Sequence, residues 1–214
     1  MRKDMGFSLI ELMVAMAIAS ILMAGIYTFY RSQLRSHVTQ LVVVDMQQDA
    51  RVAMYMMTRE IRMAGCDPQN NTGAAIRIAN AAEIAFDSDE DGDGAIDEAS
   101  ERFYYGLQVG NLVRGSWEDD LTPDDLNLVA LNIDALNFVY LDSAGSVTAN
   151  LADIRAVQIT LVARSGDQVP VLMNRQTDSS IYRNQQGDLL LAAPNDNFRR
   201  IRLTATVKVR NMGL

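Results

Sequence analysis

The chain is poor in the residues that make cross-links and catalytic centres. Among its 214 residues there is one cysteine and one histidine. Cys66 alone cannot build an intramolecular disulfide framework. It falls just past a helical stretch and reads as a small, partly buried residue rather than a reactive thiol. His37 has no serine, cysteine or metal-ligand partner spaced around it, which makes it a surface residue. No Ser/His/Asp set, Cys/His cluster or phosphate-cradling glycine loop stands out, so the sequence does not read as an enzyme. Positive charge is short as well: 19 basic against 27 acidic residues, a net −8 at pH 7. Phosphate backbones are held by basic faces, so nucleic acid is not an expected partner.

Charge is also missing from one long block. Between residues 7 and 30 the only formal charge is Glu11, and no proline interrupts the run. At about 1.5 Å per helical residue this block reaches roughly 36 Å, enough to cross a hydrocarbon core of about 30 Å. A secretory signal peptide would carry a shorter apolar core followed by a small-residue cleavage site, which is not evident here. Residues 1–6, with Arg2, Lys3 and Asp4, form a charged leader and mark a cytoplasmic end. A lone carboxylate in such a span is costly and needs a partner. Ala15, Ala17, Ala19, Ser20, Ala24 and Gly25 are small enough to admit close helix packing.

The stretch Gly6-Phe7-Ser8-Leu9-Ile10-Glu11-Leu12 resembles the class III signal of type IV pilins and type II secretion pseudopilins. The resemblance implies cleavage after Gly6 by a prepilin peptidase and N-methylation of Phe7. It gives Glu11 the part of the acid that pairs with the N-terminal amine of a neighbouring subunit during assembly. It also implies single-pass anchoring in the inner membrane, with the C-terminal part in the periplasm, and later a place in the pilus at the cell surface.

From residue 31 to about 63 there is neither proline nor glycine. Leu34, Val38, Leu41, Val42, Met46, Ala50, Ala53, Met54, Met57 and Ile61 recur at spacings of three and four, one face of a continuing helix. The other side carries Arg35, Gln40, Gln47, Gln48, Arg51, Arg59 and Glu60. Ala64-Gly65, then Asp67-Pro68, is a stop signal. Met54, Met56, Met57 and Met63 read as adaptable packing rather than a metal or cofactor site. The phrase Thr58-Arg59-Glu60-Ile61-Arg62-Met63-Ala64-Gly65 resembles the helix end of PilW-type minor pilins and the related J-type pseudopilins.

The remainder is strand-rich. Residues 68–82 read as a loop, 83–86 as the start of a strand, 102–114 as a returning strand and 116–125 as a polar connection. Residues 126–141 are apolar and partly alternating, 143–146 are a turn, and 154–163 and 198–209 alternate clearly. The polar stretch 164–197 is long enough to be functional or mobile. Together these predict an α+β, pilin-like fold, with a long N-terminal helix packed on an antiparallel β-rich domain. The expected organisation is a leader over 1–6, a membrane or filament-core half-helix over 7–30, an amphipathic half over 31–64 and the globular domain over 65–214.

One constellation has metal chemistry. Calcium takes six to eight oxygens, which alternate acids around a tight glycine turn supply. Two registers fit. Counting from Asp87, Gly92 is sixth and Glu98 twelfth; counting from Asp89, Gly94 is sixth, Ile96 eighth and Asp97 ninth, but Ser100 falls twelfth. Asp89, Asp91 and Asp93 serve in both, with Asp97, Asp87 and Glu98 following. The bland alternative is a solvated acidic turn. The expected function is a minor pilin in the tip or initiation complex of a type IV pilus, working with other minor and major pilins, a prepilin peptidase and the inner-membrane assembly platform. The alternatives are a J-type pseudopilin of type II secretion and a calcium-dependent, filament-borne adhesin that would use residues 164–197.

Overall fold

The computed structural model describes residues 8–118, 121–166 and 177–212. Its first element, α1, runs unbroken from Leu9 to Ile61. Ser8 starts it: the Ser8 hydroxyl accepts from the Glu11 N–H at 3.3 Å, and the Glu11 carboxylate accepts from the Ser8 N–H at 2.9 Å. This reciprocal pair satisfies two of the donors that a helix start leaves orphaned. The helix stops where the sequence predicts. Met63 and Ala64 bond back three residues, and Gly65 takes φ +74°, the left-handed geometry that suits glycine.

The chain divides into two compact units that meet within α1, the first ending at Leu41 and the second covering Val42–Leu214. In the second unit, Met46, Ala50, Ala53, Met54, Met57 and Ile61 are buried, following the predicted stripe. Leu34 and Leu41, which the same periodicity assigns to that stripe, are exposed.

Ten strands follow. β1 (Ile76–Ala79), β2 (Ile84–Asp87), β3 (Arg102–Gln108), β4 (Asn111–Trp117) and β5 (Pro123–Ala130) make an antiparallel meander in sequence order. β6 (Ile133–Leu141), β7 (Ala156–Arg164) and β10 (Arg200–Lys208) make a second antiparallel sheet in the order β10-β7-β6. β8 (Tyr182–Arg183) and β9 (Leu189–Leu191) form a small hairpin between β7 and β10 in sequence. Alternation places Ile84, Phe86, Phe103, Tyr105 and Leu112 in the main core with the buried face of α1 and with Phe138, Ile159 and Leu161 of the second sheet. The intervening Ala85, Tyr104 and Val113 join Trp117 in a satellite cluster on the other side of the meander.

Several local expectations change. The predicted loop over 68–82 contains β1, four residues too short to show a period. The stretch 102–114 is a hairpin rather than one strand: Gln108 pairs with Asn111 around Val109 and Gly110, both at positive φ. Valine at φ +49° is not a residue that announces a turn. The predicted connection over 116–125 includes the end of β4 and the start of β5, with Trp117 paired to Pro123. The apolar stretch 126–141 changes sheet at Asn132, φ +57°, so that β5 and β6 belong to different layers.

Candidate functional site

Gly6 and Phe7, the predicted processing pair, lie outside the described residues. Just after them, Glu11 occupies the third position of α1, held by Ser8. From Leu9 to residue 37 every helix residue is exposed, including Ile10, Ile21, Met23 and Ile26. This part holds a window of mean hydropathy 2.3 with none of it buried, in a helix long enough to cross a membrane. Two of its hydroxyls are satisfied within the helix: Ser20 donates to the Ala17 carbonyl and Thr28 to the Gly25 carbonyl, each at 2.8 Å. A Cβ on Gly25 would meet nothing within 4 Å, so no contact inside the chain requires glycine there. Small residues in an apolar span leave room for a neighbouring helix.

At the other end of the helix, one residue that periodicity assigns to the polar face, Glu60, turns inward. Glu60 accepts from the Tyr105 hydroxyl at 2.6 Å and from Arg114 Nε at 2.9 Å, tying α1 to β3 and β4. Burial, together with the Glu60 carboxylate, pushes the Tyr105 phenol well above its ordinary range. Arg114 also lies over the Phe103 ring, 5.1 Å from its centroid.

The acidic loop connects β2 to β3. Its base continues their ladder: Asp87 pairs with Arg102, and the Ser88 N–H donates to the Glu101 carbonyl at 2.9 Å. Asp89 is fully buried; its N–H donates to the Cys66 carbonyl, and its carboxylate accepts from the N–H groups of Gly92 at 2.6 Å and Gly94 at 3.3 Å. Asp91 accepts from the Asp93 N–H, and Asp93 from the Ala95 N–H. Glycines at φ +76° and +87°, Gly92 and Gly94, let the chain coil this tightly. A Cβ on Gly94 would lie 2.7 Å from the Asn71 side chain, so the turn also lies close against the segment after α1.

Within this coil, one carboxylate oxygen from each of Asp89, Asp91 and Glu101 lies within 4.8 Å of the others. Glu101 closes the loop from the far side and is only 3 % exposed. One of its oxygens takes the N–H groups of Asp97 and Glu98, while Oε1 has no partner. Burial pushes its carboxyl up, and the nearby Asp91 charge acts in the same direction. Four of the predicted ligands stand apart from the trio. Asp87 is buried against Arg77, Nε to Oδ2 2.5 Å, a use that counting positions along the loop does not foresee. The Glu98 carboxylate accepts from the Ser100 hydroxyl and caps the 3₁₀ turn Ala99–Glu101. Asp97 is exposed and outside the group. Asp93, also exposed, holds the next alternate place along the coil.

Glu101 is the member that sequence reasoning missed. It is thirteenth from Asp89, one beyond the place at which the pattern ends. The 3₁₀ turn takes up the extra residue. The acidic run reaching that far was the available signal.

Cys66 lies beside this loop. Burial pushes its thiol up, and the charges of Asp89, Glu90 and Asp67 add to that.

Two family profiles match the chain. The prokaryotic N-terminal methylation motif covers residues 1–27, and prepilin peptidase-dependent protein B covers residues 39–187. The chain belongs to the prepilin peptidase-dependent protein B family. No curated protein matches it. Among solved structures, a type IV-like pilin from Thermus thermophilus superposes with a TM-score of 0.53 at 15 % identity. The match covers 78 % of this chain and 98 % of that one, which establishes the pilin-like fold. The methylation motif stands ahead of the long apolar helix, so the expected type IV pilin-like family and the fold class hold.

Proposed function

We propose that this prepilin peptidase-dependent protein is a PilW-type minor pilin acting in the tip or initiation complex of a type IV pilus. The observation that carries this reading is the stretch of α1 from Leu9 to residue 37. It is wholly exposed and largely apolar, and it stands directly behind a class III signal. Such a surface needs either lipid or neighbouring helices, and the pilin route provides both in turn. Arg2 and Lys3 keep the leader cytoplasmic, where cleavage after Gly6 exposes the Phe7 amine for methylation. The β-rich body then lies in the periplasm until the helix leaves the membrane for a filament of major and minor pilins. Glu11 favours that exit, because a carboxylate in lipid is costly and an assembled neighbour offers it an amine.

The test is deletion of the gene in a strain whose filaments cannot retract. Surface filaments are expected to fall sharply and to return with the wild-type gene but not with a Glu11→Ala copy. Unchanged filament number refutes an initiation role. The phrase Thr58 to Gly65 is shared with J-type pseudopilins, so the same strains are assayed for secretin-dependent export. Lost export with intact filaments assigns the chain to type II secretion instead.

A further inference from the structure

We propose that the β2–β3 loop is a calcium site held by Asp89, Asp91 and Glu101, with Asp93 next to them along the coil. The loop hydrogen bonds alone would suit a solvated acidic turn. What separates this site from such a turn is Glu101 Oε1, a carboxylate oxygen in a residue 3 % exposed, with no hydrogen-bond donor to meet it. A buried carboxylate oxygen without a partner costs stability, and Asp89 and Asp91 each bring an oxygen within 4.8 Å of one of the Glu101 carboxylate oxygens, which raises that cost. A cation at that position removes both penalties at once.

The donors select the class of ion. All are carboxylate oxygens, hard donors that suit calcium or magnesium better than the softer zinc and copper. Between hard cations, an irregular loop with side-chain and carbonyl oxygens suits calcium. Magnesium demands a regular octahedron and keeps its waters. Of the two registers open to the sequence, the geometry assembles the one that begins at Asp89 and closes it with Glu101. The other would need Asp87 and Glu98, neither of which joins the group: Asp87 Oδ2 is bonded to Arg77 and the Glu98 carboxylate to the Ser100 hydroxyl.

The position gives the ion a mechanical role. Asp89 bonds Cys66 through its backbone, Gln69 donates to the Gly92 carbonyl, and Gly65 donates to the Asp87 carbonyl. The loop is therefore sewn to the segment that leaves α1. An ion that orders the loop also fixes the helix end against the meander, whichever filament the chain enters.

The experiment uses the full chain in non-ionic detergent, stripped with a chelator and titrated with calcium chloride by calorimetry. One equivalent is expected to bind with Kd between about 10⁻⁵ and 10⁻³ M, with a rise in Tm that magnesium at the same concentration does not reproduce. Glu101→Gln and the more exposed Asp91→Asn are expected to weaken binding at least about tenfold, whereas Glu98→Gln binds like the parent. Far-UV circular dichroism of each chelated variant shows that it is folded; if Glu101→Gln is not, Asp91→Asn decides. No heat and no Tm change up to about 10 mM calcium overturns the proposal. So does undiminished binding by folded Glu101→Gln or Asp91→Asn, and so does loss of binding on Glu98→Gln alone.

Discussion

Arg200, at the start of β10, gathers carboxylates from β6 and from the segment between β7 and β10. Its side chain is 4 % exposed, and its guanidinium meets three carboxylates: Asp134 Oδ2 at 2.6 Å, Asp178 Oδ2 at 3.2 Å, and both oxygens of Asp196 at 2.6 Å each. The two-pronged grip on Asp196 is one that lysine cannot copy. Asp196 is held below its ordinary range chiefly by its bonds to Arg200. For Asp178, burial pushes upward, but the Ser180 N–H, the Tyr182 hydroxyl and Arg200 together outweigh it and hold the carboxyl low. Carboxyls with lowered folded values stabilise fully above the unfolded value of about 3.9, and that contribution fades as pH falls through the folded values. Arg200→Met is expected to cost about 2 kcal/mol at neutral pH, since it leaves three partly buried carboxylates without their cation. The difference from wild type should shrink below about pH 4. Urea unfolding across that range checks both; a constant difference at all pH values would mean that packing, not charge, is what Arg200 supplies.

At the scale of the element, the end of α1 is the most exacting point. The chain must turn at Gly65, hand its N–H to the Asp87 carbonyl and continue into Asp67, whose carboxylate gathers the N–H groups of Asn71, Thr72 and Gly73. Gly65 is buried at φ +74°, and a Cβ there would lie 2.8 Å from Met212 Sδ. The methionine tip can move aside, so most of the cost comes from the backbone. Gly65→Ala is expected to lose about 1 kcal/mol or more, a fall in Tm of roughly 2–4 °C for a chain this size. Helix content should stay unchanged. Equal Tm values would show that the left-handed position is not enforced.

For the whole molecule, the two units differ in what holds them. In Val42–Leu214, the lower part of α1 and both larger sheets share one core, from Met46 to Val209. Residues 8–37 bury nothing. A chain beginning at Val42 is therefore expected to stay soluble without detergent and to unfold within about 0.5 kcal/mol of the full protein. Collapse of the truncated chain, measured by near-UV circular dichroism or urea midpoint, would show that the body depends on the removed stretch. The pilin role makes sense of this separation: a helix that passes from lipid to filament should not be needed to fold its cargo.

Much of this organisation was written locally. The Ser8–Glu11 spacing, the apolar block, the stripe from Met46 to Ile61, the stop at Gly65 and the alternation in β7 and β10 all follow from short-range periodicity and capping. These need no distant partner to be read. The tertiary structure decided the rest, because it depends on which remote segments meet. Glu60 sits on a nominally polar helix face yet is half-buried, because Tyr105 and Arg114 come to it from β3 and β4. Val109 accepts a positive φ because the pairing on either side of it requires a two-residue turn. Asp87 fits a calcium pattern by count but is taken by Arg77 of the adjoining β1. Glu101 lies one place beyond the pattern and is brought in by a single turn of 3₁₀ helix. The sequence by itself determined that this is a pilin-like chain with an acidic loop. Only the fold decided which acids face one another, since pairing across strands, not spacing along them, puts three carboxylates in one place.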